Sequence, residues 1–156
     1  MRTAILTIAM GATVAAHAAA RQEPAPAPAP AQIPSLATAQ ALRCTFTLYV
    51  ATHWVDGEPE TVAGDDKFTF SIEAIDLQTR RARIVGATAS ASASAFVTDT
   101  GLNVIEQTPI GNFILTTVFA NGQTGGRFMA VHSRHLGDLS APPGPSQYFG
   151  SCEAVR

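Results

Sequence analysis

The two cysteines of this chain, Cys44 and Cys152, stand at opposite ends of a long run of alternating segments, and that placement constrains the fold more than any other feature. From Arg43 onward the dominant pattern has period two, apolar against polar, broken by turn residues at a spacing of about 8 to 12 positions, as in all-β sandwiches and barrels. Cys44, Phe46, Leu48 and Val50 alternate with Thr45, Thr47 and Tyr49, and the run stops at Asp56-Gly57. Phe68, Phe70, Ile72 and Ala74 alternate with Thr69, Ser71 and Glu73, which predicts a half-buried strand. Further strands are expected over 81–86, 90–97, 102–107, 112–119, 127–134 and 147–154, separated by Thr98-Asp-Thr-Gly101, Thr108-Pro-Ile-Gly111, the Asn121-Gly122 and Gly125-Gly126 pairs, and the proline-rich stretch from Asp138 to Pro145. Most connections are short, so sequence neighbours should pair antiparallel in a meander.

The N-terminus sets the redox setting in which those cysteines are read. Met1 and Arg2 precede an apolar run from Ala4 to Ala16 and small-x-small sites near Ala18 and Ala20, the pattern of a secretory signal peptide over residues 1–20. The run is too short and too diluted by Gly11 and threonine to span a bilayer, so the mature chain is expected to be periplasmic or secreted with no membrane span. Residues 21–34 hold half of the ten prolines in a Pro-Ala alternation, an extended spacer that neither helix nor sheet can accommodate. Residues 35–42 form a short helical or irregular segment, with Ser35 as N-cap and Leu36, Ala39 and Leu42 on one side.

In an exported protein an even cysteine count implies a disulfide. Bridged Cβ atoms lie only ~3.8 Å apart, so a Cys44–Cys152 bond makes the first and last strands neighbours. In an eight-strand meander such adjacency means closure. The expected fold is an all-β, antiparallel up-and-down barrel or curled sheet of about eight strands over residues 43–156, lipocalin-like in broad style though without the Gly-x-Trp signature at its first strand.

The segments Thr116-Thr-Val-Phe119, Ala130-Val-His-Ser-Arg-His135 and Pro145-Ser-Gln-Tyr-x-Gly-x-Cys152 resemble stretches of small, uncharacterised secreted bacterial β proteins. The resemblance implies no activity and transfers no catalytic residue.

Ten Lys plus Arg against twelve Asp plus Glu exclude the basic field that nucleic-acid binding requires. His132 and His135 are three apart on a strand and so point to opposite faces, which prevents them from chelating one metal ion unless a bulge intervenes. Asp56, Glu58, Glu60, Asp65 and Asp66 are expected in the first loop; hard oxygen ligands of this kind suit Ca²⁺, but the spacing is not that of an EF-hand and Pro59 interrupts it, leaving a solvated acidic loop. Arg80, Arg81 and Arg83 are expected to answer that acidity. Ser94 and Ser133 lack a nucleophile elbow. No catalytic residue, metal site or cofactor is therefore expected.

Two oddities remain. The Ser-Ala alternation from Ser90 to Ala95 leaves room for large neighbours such as Phe68 and Phe70 or for a cavity. Strands six and seven are apolar on both faces, so their outer surface needs a cover, which residues 35–42 or self-association would supply. The functional expectation is a non-enzymatic binding module taking a small apolar ligand in or at the mouth of the barrel, oriented by His132, Arg134 and Glu106. The alternative is a protein-binding domain, such as a periplasmic hydrolase inhibitor, presenting the loop from Asp138 to Gln147 to an envelope protein.

Overall fold

Every strand pairs antiparallel with the next one in the chain, and the last returns to the first: β1 Leu42–Val55, β2 Glu58–Asp76, β3 Arg81–Val85, β4 Ser90–Thr98, β5 Gly101–Gln107, β6 Phe113–Thr124, β7 Arg127–Leu136 and β8 Gly144–Ala154 close into a barrel. This computed structural model describes residues 36–137 and 140–155. The expected signal peptide and Pro-Ala spacer, residues 1–34, lie outside the described residues.

Closure is made at the β1–β8 ladder. Cys44 sits directly opposite Cys152 there, the two sulfurs are bonded, and the Cα atoms are 4.0 Å apart. Both residues are fully buried. Two positions along, Gly150 faces Phe46 in the same ladder, and its lack of a side chain is what lets β8 approach so closely. A Cβ at Gly150 would overlap the Thr45 carbonyl oxygen and lie 2.6 Å from Phe46 Cα, both backbone atoms that cannot step aside. Gly150→Ala is therefore expected to cost about 1–3 kcal/mol in urea unfolding. Gly144→Ala, at a position with no atom within 4 Å, serves as the neutral control; equal stability of the two variants would refute the argument.

The inward faces carry the core: Leu42, Cys44 and Phe46 from β1, Phe70 and Ile72 from β2, Leu102 and Val104 from β5, Val118 from β6, and Phe128 and Ala130 from β7. Burying apolar side chains of this size contributes about 1.5–3 kcal/mol each before entropy is counted. The inward residues of β4 are Ala91, Ala93 and Ala95, small enough for the aromatic rings of β1 and β2 to occupy the middle of the barrel. The strict alternation is broken where the ladder shifts register. Between Glu73 and Asp76 the shift, with Ala74 in the left-handed region at φ 50°, brings Ile75 inward as well as Ile72. Between Phe46 and Leu48 a second shift moves the inward side of β1 to Tyr49.

Three expectations need correction. The acidic residues after Asp56 do not form a loop: Asp56-Gly57, with φ of 52° and 87°, is a two-residue turn, and Glu58, Glu60, Asp65 and Asp66 run along β2 in a long ribbon with β1. Backbone pairing to β1 satisfies that stretch whatever its charge. Arg83 answers Glu73 directly across the β2–β3 ladder, Nη2 to Oε2 2.7 Å, and Arg80 lies over the Phe96 ring, so neither serves the acidic stretch.

Finally, residues 36–42 make a single 3-10 turn, Leu36–Thr38, and then enter β1, while the expected N-cap Ser35 lies outside the described residues. Leu36 and Ala39 join the core instead of covering the outside of β6 and β7, and the Ile75 and Val155 amides donate to the Gln40 and Ala41 carbonyls at that end. An apolar turn gains more by sealing a barrel end, where interior side chains would otherwise meet water, than by covering a scattered outer stripe. Phe113 and Met129 consequently remain 51% and 57% exposed on the outer wall.

Candidate functional site

Plugging one end leaves the other as the place where inward side chains meet solvent. That far end is bounded by the Asp56-Gly57 turn, the β5–β6 connection at 108–112 and the β7–β8 connection. The ladder stacks inward residues there in rows. One row runs Val104, Thr116, His132, Tyr148 and Tyr49 across β5, β6, β7, β8 and β1. The next row outward runs Glu106, Ile114, Arg134, Ser146 and Ala51.

His132 is 4% exposed and its ring is boxed by Phe46, Phe68, Phe70 and Tyr148, with centroids 5.1 to 5.9 Å away. Its Nδ1 shares a hydrogen bond of 2.9 Å with the hydroxyl of the fully buried Thr116, the direction depending on the tautomer. Burial, with the Arg134 charge adding to it, lowers the His132 pKa to about 4, so the imidazole is neutral at neutral pH. It forms the floor of the far end, closed to a ligand unless the aromatic box opens. His135, by contrast, lies on the outer side of β7, as the spacing required.

Arg134 is half-buried directly above that floor. Its Nη1 donates to the Tyr148 hydroxyl at 3.2 Å, and the guanidinium carbon lies 5.8 Å from the Tyr148 ring centroid. Tyr148 in turn packs on Phe68 at 5.3 Å and Tyr49 at 6.0 Å. Gly64, opposite Tyr49, leaves the space that the Tyr49 ring fills, a Cβ there standing 3.0 Å from Cε1. Glu106 faces Arg134 from the far side of Ile114, without an ion pair within 4.0 Å among the described residues. Burial pushes its carboxyl pKa up and the Arg134 charge pulls it back down. The three residues singled out from sequence thus share one side of the barrel, with Arg134 and Glu106 in one row and His132 below them.

Sequence reasoning missed a second surface at this end. A cleft of about 810 Å³ opens at the far end, lined by Trp54, Ile110, Asn112, Leu136, Pro143 and Pro145 and, from the outer side of β7, by His135. Leu136 is the next inward residue after Arg134 on β7, but His132, Arg134, Glu106 and Tyr148 do not themselves line the cleft. Trp54 is positioned by its indole Nε1–H, which donates to the Pro143 carbonyl at 2.7 Å and ties the β1–β2 ribbon to the start of β8. On the opposite wall the Asn112 side chain accepts from the Gly137 amide at 2.7 Å. The signal that pointed here was Asp56-Gly57, the strongest short hairpin pair, which extends β1 far enough to carry Trp54 to the rim. Chemically, the arrangement offers an apolar surface with the Asn112 amide and the His135 imidazole as its polar side chains.

Among the described residues no helix is long and apolar enough to cross a membrane. No family model matches the chain and no curated protein is similar to it, so its function is argued from this geometry.

Proposed function

We propose that the protein is a non-catalytic binding module of the periplasm or the extracellular space, taking a small, largely apolar molecule in the far-end cleft. The observation that carries the reading is the cleft itself, of the size of ordinary small-molecule sites, with an apolar wall of Trp54, Ile110, Leu136, Pro143 and Pro145 and two polar side chains, Asn112 and His135. The buried Cys44–Cys152 bond and the signal-peptide pattern over residues 1–20 support the compartment. The barrel interior below is filled by aromatic rings, which favours the mouth over the centre as the docking place.

Trp54 is the chain's single tryptophan, so its emission reports on the cleft directly. Titration with the neutral apolar dye N-phenyl-1-naphthylamine is expected to give saturable one-to-one binding with quenching of Trp54. Leu136→Asp and Ile110→Asp should each raise the dissociation constant at least tenfold, about 1.4 kcal/mol. Dye uptake that fails to saturate, or that both variants leave untouched, would remove the proposal.

A further inference from the structure

Resting on the far-end cleft as the binding site, we infer that its ligands are neutral molecules bearing a carbonyl oxygen, which accepts a hydrogen bond from the Asn112 side-chain amide while the apolar body lies against Trp54, Ile110 and Leu136. These four residues, with His135, line one and the same cleft. Asn112 closes the β5–β6 connection, where its backbone carbonyl accepts from the Thr108 amide and its own amide donates to the Thr108 hydroxyl, so its main chain is held on both sides. Its side chain is held as well. The Gly137 N–H can meet only the amide oxygen, at 2.7 Å, and that contact directs the NH2 group away from Gly137. What this side chain offers a ligand is then a pair of donors with no acceptor, and its complement is an acceptor.

The rest of the wall narrows the choice. The Trp54 indole N–H is taken by the Pro143 carbonyl and the Gly111 amide by the Thr108 carbonyl, while the two prolines have no N–H to give. Hydrogen bonding from the lining side chains therefore falls to Asn112 and His135. His135 stands between Phe113 and Pro145 in the ladders and edges the cleft from the outer side of β7. A neutral imidazole carries one donor and one acceptor, so it accommodates a carbonyl or a hydroxyl without choosing between them, and Asn112 makes the choice. None of the described lining residues is Asp, Glu, Lys or Arg. An ionised head group drawn into the cleft would give up hydration and meet no formal opposite charge in its wall, which costs more than an uncharged carbonyl loses. Donors at fixed positions discriminate between polar groups more strongly than apolar contacts discriminate between tails.

The test uses three probes with a ten-carbon chain at pH 8, decan-2-one, decanoate and decyltrimethylammonium, each read by displacement of N-phenyl-1-naphthylamine and by Trp54 emission. Decan-2-one is expected to bind at least tenfold more tightly than either ion. Asn112→Asp keeps an oxygen for the Gly137 amide but replaces the NH2 donors by a second oxygen, so it should weaken decan-2-one about tenfold and reverse the order in favour of the ammonium. His135→Phe should change decan-2-one binding less than threefold. Wild-type binding of either ion as tightly as decan-2-one, or saturable dye binding that decan-2-one does not displace, would overturn the inference and leave the cleft intact. The same follows if Asn112→Asp binds the ketone as the wild type does, or if His135→Phe weakens it more than Asn112→Asp. Failure of the neutral dye and of every probe to bind would overturn the cleft reading as well. The wild-type series needs no variant, so a poorly folding Asn112→Asp protein does not protect the inference.

Discussion

Removing the Cys44–Cys152 bond, as Cys44→Ala with Cys152→Ala, is expected to lower the unfolding free energy by about 4–5 kcal/mol, because the bond closes a loop of more than a hundred residues in the unfolded chain. For a domain of this size that corresponds to a fall in midpoint of roughly 20 °C. The bond also does what loop-closure entropy does not capture: it spans the single ladder, β1 with β8, whose strands are farthest apart in sequence. Strands whose pairing is non-local form late and at high entropic cost, so the variant should also refold more slowly. Urea unfolding under oxidising and reducing conditions measures the first effect and stopped-flow refolding the second. A stability loss below about 1 kcal/mol would mean that backbone pairing and the close Gly150 contact hold the seam unaided. Because both sulfurs are fully buried, reductant added to the native protein should act only through unfolding.

Acid should weaken the fold through His132. Its folded pKa of about 4 lies below the value of 6.5 for an exposed histidine, so the unfolded chain binds the proton more readily than the native one. The stability associated with the neutral, boxed imidazole is complete above pH 6.5 and drains away as the pH falls toward 4, by about 3 kcal/mol in total. Below pH 4 the native state takes up the proton as well and the loss levels off. Thr116→Val with His132→Leu replaces both partners of the 2.9 Å bond by apolar groups, which should leave stability near neutral pH little changed and flatten the slope between pH 6.5 and 4. Thr116→Val alone strands the imidazole nitrogen and should cost about 1–3 kcal/mol at neutral pH. Thermal melts across that pH range on the three proteins decide the matter: parallel profiles for wild type and the double variant would exclude His132 as the acid-sensitive group.

Much of the fold was legible because a half-buried strand imprints its period on the sequence. The alternation around Phe68, Phe70 and Ile72, the turn residues between 98 and 126, and the two bracketing cysteines were enough to expect a closed antiparallel barrel. What misled was charge: Glu58, Glu60, Asp65 and Asp66 read as a solvated loop, although Asp56-Gly57 in front of them marks a tight hairpin. In a two-stranded ribbon with both faces near water, backbone pairing does not require apolar side chains, so hydropathy carries no trace of it. That misreading hid Trp54 and with it the cleft. The register shifts at Phe46/Leu48 and Glu73/Asp76 left no signal either, since a bulge is a cooperative property of two or three strands.

The candidate site divides in the same way. Sequence alone set the parity that puts His132 and Arg134 on one face of β7 and His135 on the other, because side-chain direction in a strand follows from counting residues. It also fixed which strands must meet, since a covalent bond between two numbered cysteines admits one closure. Only the tertiary structure decided that His132 lies sealed under four aromatic rings drawn from β1, β2 and β8 while Arg134, two residues on, is half-buried against the Tyr148 hydroxyl. It alone placed the Leu36–Thr38 turn at one barrel end and left the other end uncovered among the described residues. Burial is a sum over neighbours from distant parts of the chain, and no local pattern encodes that sum.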